Sequence, residues 1–150
     1  MKKLLCCMLV VVLLLGGCGK DGKDAELIVL DFIVMSNQWD EYEFKDDRYF
    51  YYFWKSPEIH VPQLTGKVFD EGAVLCYMLQ NLIEGGRPQV VQKPLPYTIN
   101  GFYDDNGYDV PYSENYSFQI RPGYITFIVK YSDFGELRPP RGDFRVVILR

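Results

Sequence analysis

Residues 113–132 read SENYSFQIRPGYITFIVKYS, and this stretch contains two runs of β-branched and aromatic residues around a short break. Such runs favour extended strands, in which bulky side chains pack on a pleated surface. The break consists of Arg121, Pro122 and Gly123, and proline followed by glycine is typical of a tight turn. The stretch therefore predicts an antiparallel hairpin with strands over residues 113–120 and 124–132.

The rest of the chain after Glu26 has the same character. Residues 62–70 alone predict a short helical turn, because Leu64 and Val68 stand four residues apart. Segments with strand composition occupy residues 27–34, 49–54, 73–79, 90–98 and 144–149. Turn residues follow several of these segments: Gly85, Gly86, Asp105, Asn106 and Gly107.

About seven short strands and no long amphipathic helix define the expected architecture. Antiparallel strands of this length bury one face each when two sheets pack together. We therefore predict an all-β fold, a single antiparallel β-sandwich, immunoglobulin-like or similar, over residues 27–150. Pro94 and Pro96 predict an edge or bent strand, because proline cannot donate to a ladder of hydrogen bonds.

The first 17 residues have the organisation of a secretion signal. Lys2 and Lys3 form a basic head, residues 4–15 are uninterruptedly apolar, and the small residues Gly16 and Gly17 follow. The apolar run makes about 18 Å of helix, whereas a bilayer span needs roughly 20 apolar residues. We therefore expect a leader that is cleaved rather than a membrane-spanning anchor.

Leu15, Gly16, Gly17 and Cys18 resemble the box at which bacterial lipoproteins are lipidated and cut. The resemblance implies that Cys18 becomes the first residue of the mature chain and carries a diacylglycerol on its thiol. Several acyl chains anchor a protein durably, since each buried CH₂ contributes about 0.8 kcal/mol. Residues 18–26 would then be the lipidated cysteine and a flexible, charged tether. The alternative is an ordinary secretory leader beside a chance cysteine.

The net charge and the cysteine content limit the kinds of function that we expect of the chain. Loss of the leader removes Lys2 and Lys3, which moves the formal net charge from −4 to −6. An acidic domain without a basic run is unsuited to nucleic acid, whose binding depends on phosphate neutralisation. With Cys18 lipidated, Cys76 alone remains, so no intramolecular disulfide is expected. Strand alternation predicts that Cys76 is a small buried apolar residue.

Residues 48–54 read RYFYYFW, six aromatic rings behind one arginine. In an extended strand the even-numbered rings point to one side and the odd-numbered rings to the other. One set must fill the core, because a domain without disulfides depends on buried apolar area. The other set packs under a loop, supports a partner protein or stacks on sugar rings. The candidate ligand-binding aromatics are Trp39, Tyr49, Tyr51 and Phe53.

Several longer motifs are HVPQLTGKVFDEGAVLCYM at residues 60–78, VQKPLPYT at 91–98, GYITFIVKYSDF at 123–134 and FRVVIL at 144–149. Together with Trp39 and the box at Cys18, they are similar to those of a family of uncharacterised lipoproteins from Bacteroidota. Members often carry collagen-like Gly-X-Y triplets after the lipidated cysteine, and GKDGKD at residues 19–24 corresponds to two such triplets. The resemblance implies an outer-membrane lipoprotein on the periplasmic or surface-exposed side, and it implies no activity.

Three further clusters carry weaker signals. Residues 104–109 read DDNGYD and offer oxygen ligands, but they lack the spacing of a calcium loop, so we expect a solvated turn and no metal. The acidic residues at 40–47 predict a solvated connection. The tripeptide that integrins recognise is also present, and it consists of Arg141, Gly142 and Asp143. Host-cell adhesion is therefore a minor hypothesis.

No combination of residues in the sequence indicates an active site. The chain has one histidine, His60, and no nucleophile elbow, phosphate loop or metal-ligand spacing. We therefore expect a non-catalytic protein without a cofactor, held at the membrane by its lipid. Two functions remain: a surface module that binds glycan or protein, or a structural subunit of a larger envelope complex that pairs through an edge strand.

Overall fold

The computed structural model describes residues 26–45, 50–133 and 137–150, and of Phe50 it describes the backbone alone. The expected leader over residues 1–17, the lipidation site Cys18, residues 19–25 and Tyr49 lie outside these ranges. Glu26, which the sequence assigns to the tether, belongs to the folded domain. Its N–H donates to the carbonyl of Arg150 at 2.9 Å, and its carbonyl accepts from the N–H of Arg150 at 3.1 Å.

Ten β-strands, one short α-helix and one 3-10 turn make up the described part of the chain. The strands are β1 (Leu27–Val34), β2 (Asp40–Lys45), β3 (Phe50–Lys55), β4 (Ile59–His60), β5 (Ala73–Glu84), β6 (Arg87–Pro94), β7 (Tyr97–Asp105), β8 (Tyr108–Arg121), β9 (Tyr124–Tyr131) and β10 (Gly142–Leu149). The helix α1 spans Gly66–Glu71, and the 3-10 turn spans Ser36–Gln38. Within the described ranges, no helix has the length and apolar character needed to cross a membrane.

The strands form two antiparallel sheets. The order is β1-β10-β5-β6 in the first sheet and β2-β3-β9-β8-β7 in the second, where β4 also pairs with the start of β9. Strand β10 comes last in the chain, yet it lies between β1 and β5. The hairpin turns use the left-handed backbone conformation that glycine and asparagine adopt most readily; the residues with positive φ are Gly85, Gly86, Asn106, Gly107 and Gly123.

The core lies between the two sheets and follows from strand alternation. Along β10, Phe144, Val146 and Ile148 are buried, while the residues between them are half-buried. On the facing sheet Phe127 stacks on Phe144, with ring centroids 4.0 Å apart and ring planes 10° apart. A buried aromatic side chain removes about 150–250 Å² from water, so this stack contributes strongly to holding the sheets together.

The predicted fold class, an all-β antiparallel sandwich, is confirmed. The strand predicted over residues 27–34 coincides with β1, and the hairpin predicted around Pro122 is β8–β9. The predicted helical turn over residues 62–70 overlaps α1, and both Leu64 and Val68 are buried. Thr65 caps α1, because its hydroxyl accepts from the N–H of Val68 at 3.2 Å.

Several elements differ from the prediction: β5 and β8 are longer than predicted, and the described residues contain ten strands rather than about seven. The acidic segment predicted to be a solvated connection contains β2, and the short β4 had not been expected. The segment predicted as one strand over residues 90–98 is divided at a cis peptide between Leu95 and Pro96. Its first half ends β6, an edge strand as the prolines predicted, and its second half begins β7 in the other sheet.

Candidate binding surface

Four aromatic rings from two neighbouring strands form a cluster on the outer side of the second sheet. We call it the aromatic face: Tyr42 and Phe44 of β2 with Tyr51 and Phe53 of β3. Tyr42 pairs with Phe53 and Phe44 with Tyr51, and the paired rings stack with centroids 5.8 Å and 5.0 Å apart. The rings of Tyr51 and Phe53 are 5.9 Å apart, so the four side chains form one continuous surface.

The alternation of β3 decides which rings face outward. Trp54 is buried in the core, so Tyr51 and Phe53 point to the opposite side of the sheet. Their cross-strand partners follow the same alternation: Tyr42 is 45% exposed and Phe44 is 42% exposed. Contiguous apolar surface that stays open to solvent is typical of an interaction site.

Two lysines lie over the aromatic face. The Nζ atom of Lys55 is 4.8 Å from the ring centroid of Tyr42 and 5.1 Å from that of Phe53. The Nζ atom of Lys130, on β9, is 4.7 Å from the ring centroid of Tyr51. An ammonium group over a ring gains about 0.5–1 kcal/mol at an exposed site, because the face of the π-system is negative. The surface therefore combines apolar rings with a positively charged border.

The candidate binding residues named from the sequence do not all lie on the aromatic face. Tyr51 and Phe53 lie on the aromatic face, and Tyr49 lies outside the described residues. The prediction that Trp39 faces outward is wrong, since its side chain is 0% exposed. Its indole N–H donates to the carbonyl of Pro140 at 3.0 Å, and its ring meets Phe144 edge-on at 6.3 Å. Trp39 is a core residue whose polar atom is satisfied by the backbone.

Tyr42 and Phe44 are site residues that the sequence reasoning missed. They belong to DEYEFK, the segment Asp40–Lys45, where the charged residues favoured the interpretation as a solvated connection. Within this segment apolar and charged residues alternate with a period of two, which is the pattern of a strand exposed on one side. That alternation is the signal that could have identified them.

The tripeptide Arg141, Gly142 and Asp143 is part of the first sheet rather than a protruding loop. Gly142 and Asp143 begin β10, and Asp143 lies between Ile33 on one side and Leu79 on the other. The guanidinium of Arg141 donates to the carboxylate of Asp143 at 2.8 Å. The two charges thus bind each other, and this geometry gives the adhesion hypothesis no support.

The turn at residues 104–109 is the tip of the β7–β8 hairpin. The N–H of Gly107 donates to the carboxylate of Asp104 at 2.8 Å, and the side-chain amide of Asn106 donates to Asp105 at 2.9 Å. Both carboxylates therefore accept hydrogen bonds from the turn itself. Among the residues that the structure describes, no three His, Cys, Asp or Glu side chains group closely enough to hold a metal ion.

A two-sheet sandwich with stacked, exposed rings on one outer face defines this chain as a β-sandwich protein with a surface suited to binding. Stacked rings on an open sheet offer flat apolar contacts to a partner. Comparison of the chain with protein-family models, with curated proteins and with solved structures finds no match.

Proposed function

We propose that this chain is a lipid-anchored protein of the bacterial outer membrane, on its periplasmic or surface-exposed side, and that its sandwich is a non-catalytic binding module. The observation that carries the proposal is the aromatic face, on which four rings stack in two pairs: Tyr42 and Phe44 are exposed, and their partners Phe53 and Tyr51 are half-buried. The leader, Cys18 and the similarity to lipoproteins of Bacteroidota support the location.

The surface suits a glycan ligand. The CH-bearing faces of sugar rings are apolar and pack against flat aromatic rings, and the tyrosine hydroxyls can exchange hydrogen bonds with sugar hydroxyls. Lys55 and Lys130 add ammonium donors beside the rings. A glycan that carries carboxylate groups gains charge-assisted hydrogen bonds from these lysines, which are stronger than neutral ones.

The first described residue, Glu26, lies at one end of the sandwich, which we call the anchored end. Seven residues lie between Cys18 and Glu26, and the eight Cα-to-Cα steps that join them span at most about 29 Å when fully extended. Glu26 pairs with Arg150 at the end where β1 begins and β10 finishes. Strand β1 runs from Leu27 at this end to Val34 at the other end, and at about 3.4 Å per residue the two residues are roughly 24 Å apart.

The aromatic face lies toward the other end. The backbone that follows α1 packs against the carbonyl of Leu149, so α1 marks the anchored end. Strand β9 begins beside α1, where the N–H of Gly123 donates to the carbonyl of Leu64 at 2.6 Å. Strand β3 meets β9 further along, with Trp54 opposite Val129, and its aromatic residues continue beyond that pair. The rings therefore lie toward the end of the sandwich opposite Glu26 and Arg150.

Binding of the full chain to an array of bacterial and host glycans tests the proposal. We expect Tyr51→Ala and Phe44→Ala each to weaken retention of a bound glycan about tenfold, which corresponds to roughly 1.4 kcal/mol. Phe69→Ala is the matched control, because Phe69 is similarly exposed, at 48%, but lies on α1 at the anchored end. Glycan binding that survives both face variants, or a chain that retains no glycan, contradicts the proposal.

A structural role in a larger envelope complex is the second candidate, and one observation favours it. The outer side of the first sheet carries an aliphatic face of four exposed side chains: Leu27, Val29 and Ile33 of β1 and Leu75 of β5. Val29, Val147 and Leu75 form one cross-strand row over three strands. Apolar residues on both sides of a strand are typical of a sheet covered on both faces.

Co-purification separates the two candidates. If the chain is a structural subunit, a fixed protein partner accompanies it from detergent-solubilised envelopes, and Val29→Glu releases that partner while Tyr51→Ala does not. Because β1 is an edge strand, the partner can also add a strand there. A chain that purifies without a fixed partner and retains glycan favours the binding module.

A further inference from the structure

A second concave surface lies where the β7–β8 hairpin, the end of β9 and the segment before β10 meet. This cleft has a volume of about 380 Å³, near the lower limit for small-molecule sites. Three tyrosines, two carboxylates and one guanidinium line it: Tyr103, Tyr112, Tyr131, Glu114, Asp133 and Arg138. We call it the tyrosine cleft.

The aromatic wall of the tyrosine cleft depends on one glycine. The rings of Tyr103 and Tyr112 are 6.2 Å apart and tilted by 52°. The ring of Tyr112 lies across its cross-strand neighbour Gly101, where an added Cβ would come within 2.7 Å of a ring carbon. Glycine at this position therefore allows Tyr112 to lie flat against the hairpin.

A carboxylate is held in place within the tyrosine cleft. The hydroxyl of the buried Tyr116 donates to Glu114 Oε2 at 2.7 Å, and the hydroxyl of Tyr112 points at Oε1 at 3.4 Å. In the described part of the chain, no lysine or arginine forms an ion pair with Glu114. Among the described residues, Glu114 is thus held by tyrosine hydroxyls rather than by a basic side chain.

The second carboxylate belongs to the same electrostatic environment. The charge of Glu114 raises the pKa of Tyr112, and burial followed by the charge of Glu114 raises the pKa of Tyr131. The charge of Asp133 raises the pKa of both tyrosines further. The guanidinium of Arg138 lies 5.5 Å from the ring centroid of Trp54. The two carboxylates therefore act on the same two tyrosines of the cleft.

We infer that the tyrosine cleft binds a small organic cation, a quaternary ammonium or methylated amine. The negative faces of tyrosine rings attract such a cation through cation–π contacts. The carboxylate of Glu114 adds a direct Coulombic attraction, and the volume admits a group of about the size of choline. This site is separate from the aromatic face.

Calorimetric titration of the full chain with choline, and with its neutral isostere 3,3-dimethyl-1-butanol, tests the inference. We expect choline to bind at least about tenfold more tightly than the isostere, because the two differ in charge and not in shape. Glu114→Gln and Tyr103→Leu should each weaken choline binding about tenfold. Tyr103 is partly exposed on an edge strand, so its replacement leaves the core unchanged.

Two controls make the test specific. Tyr108→Leu, an exposed tyrosine on the same hairpin outside the cleft, should leave choline binding unchanged. Tyr51→Ala should do the same, so failure of the cleft and failure of the aromatic face are distinguishable. Equal affinity for the charged and neutral probes, no binding of choline, or choline binding unaffected by both cleft variants would overturn the inference.

Discussion

Among the described glycines, Gly142 has the shortest distance between an added Cβ and a neighbouring atom. A Cβ at this position would lie 2.5 Å from a ring carbon of Phe144. Phe144 cannot move away easily, because it is stacked on Phe127 and meets the edge of Trp39. The same glycine is the centre of the integrin-like tripeptide, and packing inside the sandwich is sufficient reason for its presence.

Gly142→Ala is therefore expected to lower the free energy of unfolding by about 1–3 kcal/mol, the usual effect of overpacking a core. Urea denaturation followed by tryptophan fluorescence measures it. Gly66→Ala is the control: nothing lies within 4 Å of a Cβ at Gly66, and alanine favours the helix. Equal stability of Gly142→Ala and the unsubstituted protein would show that the close contact is absent.

Cys76 illustrates how burial controls reactivity. Burial raises the pKa of its thiol from 9.0 to about 12, so the folded protein holds almost no thiolate near neutral pH. We expect iodoacetamide to alkylate Cys76 only as the domain unfolds, which mass spectrometry with and without urea can measure. The native thiol keeps a proton that the unfolded chain releases above pH 9, so stability should fall as pH rises from 9 to about 12. Rapid alkylation without urea is the contradictory result.

The positions of single side chains were predictable where strand alternation alone decides them. Tyr51 and Phe53 share the side of β3 opposite Trp54, and Cys76 is buried, as a period of two predicts; which side of β3 faces outward was left open. Trp39 was not predictable in this way. Its burial depends on Pro140 and Phe144, about a hundred residues later in the chain, and no local pattern encodes that contact.

At the scale of elements, Ser56 joins β3 to β9 where their pairing is short. The ladder between these strands contains only Trp54 and Lys55 of β3. Ser56 extends it, since its N–H donates to the carbonyl of Phe127 at 2.9 Å and its Oγ accepts from the N–H of Phe127 at 3.0 Å. Because Ser56 is buried, no solvent can replace a lost hydroxyl there.

Ser56→Ala should therefore lower the free energy of unfolding by about 1–3 kcal/mol, since the N–H of Phe127 loses its acceptor in a buried place. Ser132→Ala is the matched control, because Ser132 Oγ accepts from the N–H of Ser113 at 2.8 Å at an exposed site. Because water can replace that hydrogen bond, we expect Ser132→Ala to lower the free energy of unfolding by less than about 0.5 kcal/mol. Similar losses in the two variants, measured by urea denaturation, would argue against burial as the cause.

Element boundaries could be predicted where turn residues mark them, as at Gly123 and at Gly85 with Gly86. Element boundaries could not be predicted where pairing with another strand determines whether a segment becomes a strand. Asp40–Lys45 has a charged composition and becomes β2 because it pairs with the aromatic β3 along its whole length. The division of residues 90–98 between two sheets occurs at the cis peptide between Leu95 and Pro96. Pro94 and Pro96 predicted an edge or bent strand there, but not that the second half would join the other sheet.

At the scale of the whole molecule, composition and turn spacing were sufficient to predict a β-sandwich, but strand order was not predictable. Strand β10 inserts between β1 and β5, so the first and last described strands pair, which no local signal specifies. The first and last described residues therefore meet, and Glu26 binds Arg150. The aromatic face and the tyrosine cleft lie toward the other end of the sandwich.

Mass spectrometry of the mature chain, purified in detergent from the envelope of a Gram-negative host, tests the proposed anchor most directly. We expect a chain that begins at Cys18 and carries a diacylglycerol on its thiol, and a Cys18→Ser variant that no longer sediments with membranes. A mature chain with an unmodified Cys18 thiol, or a serine variant that still sediments with envelopes, would contradict the account.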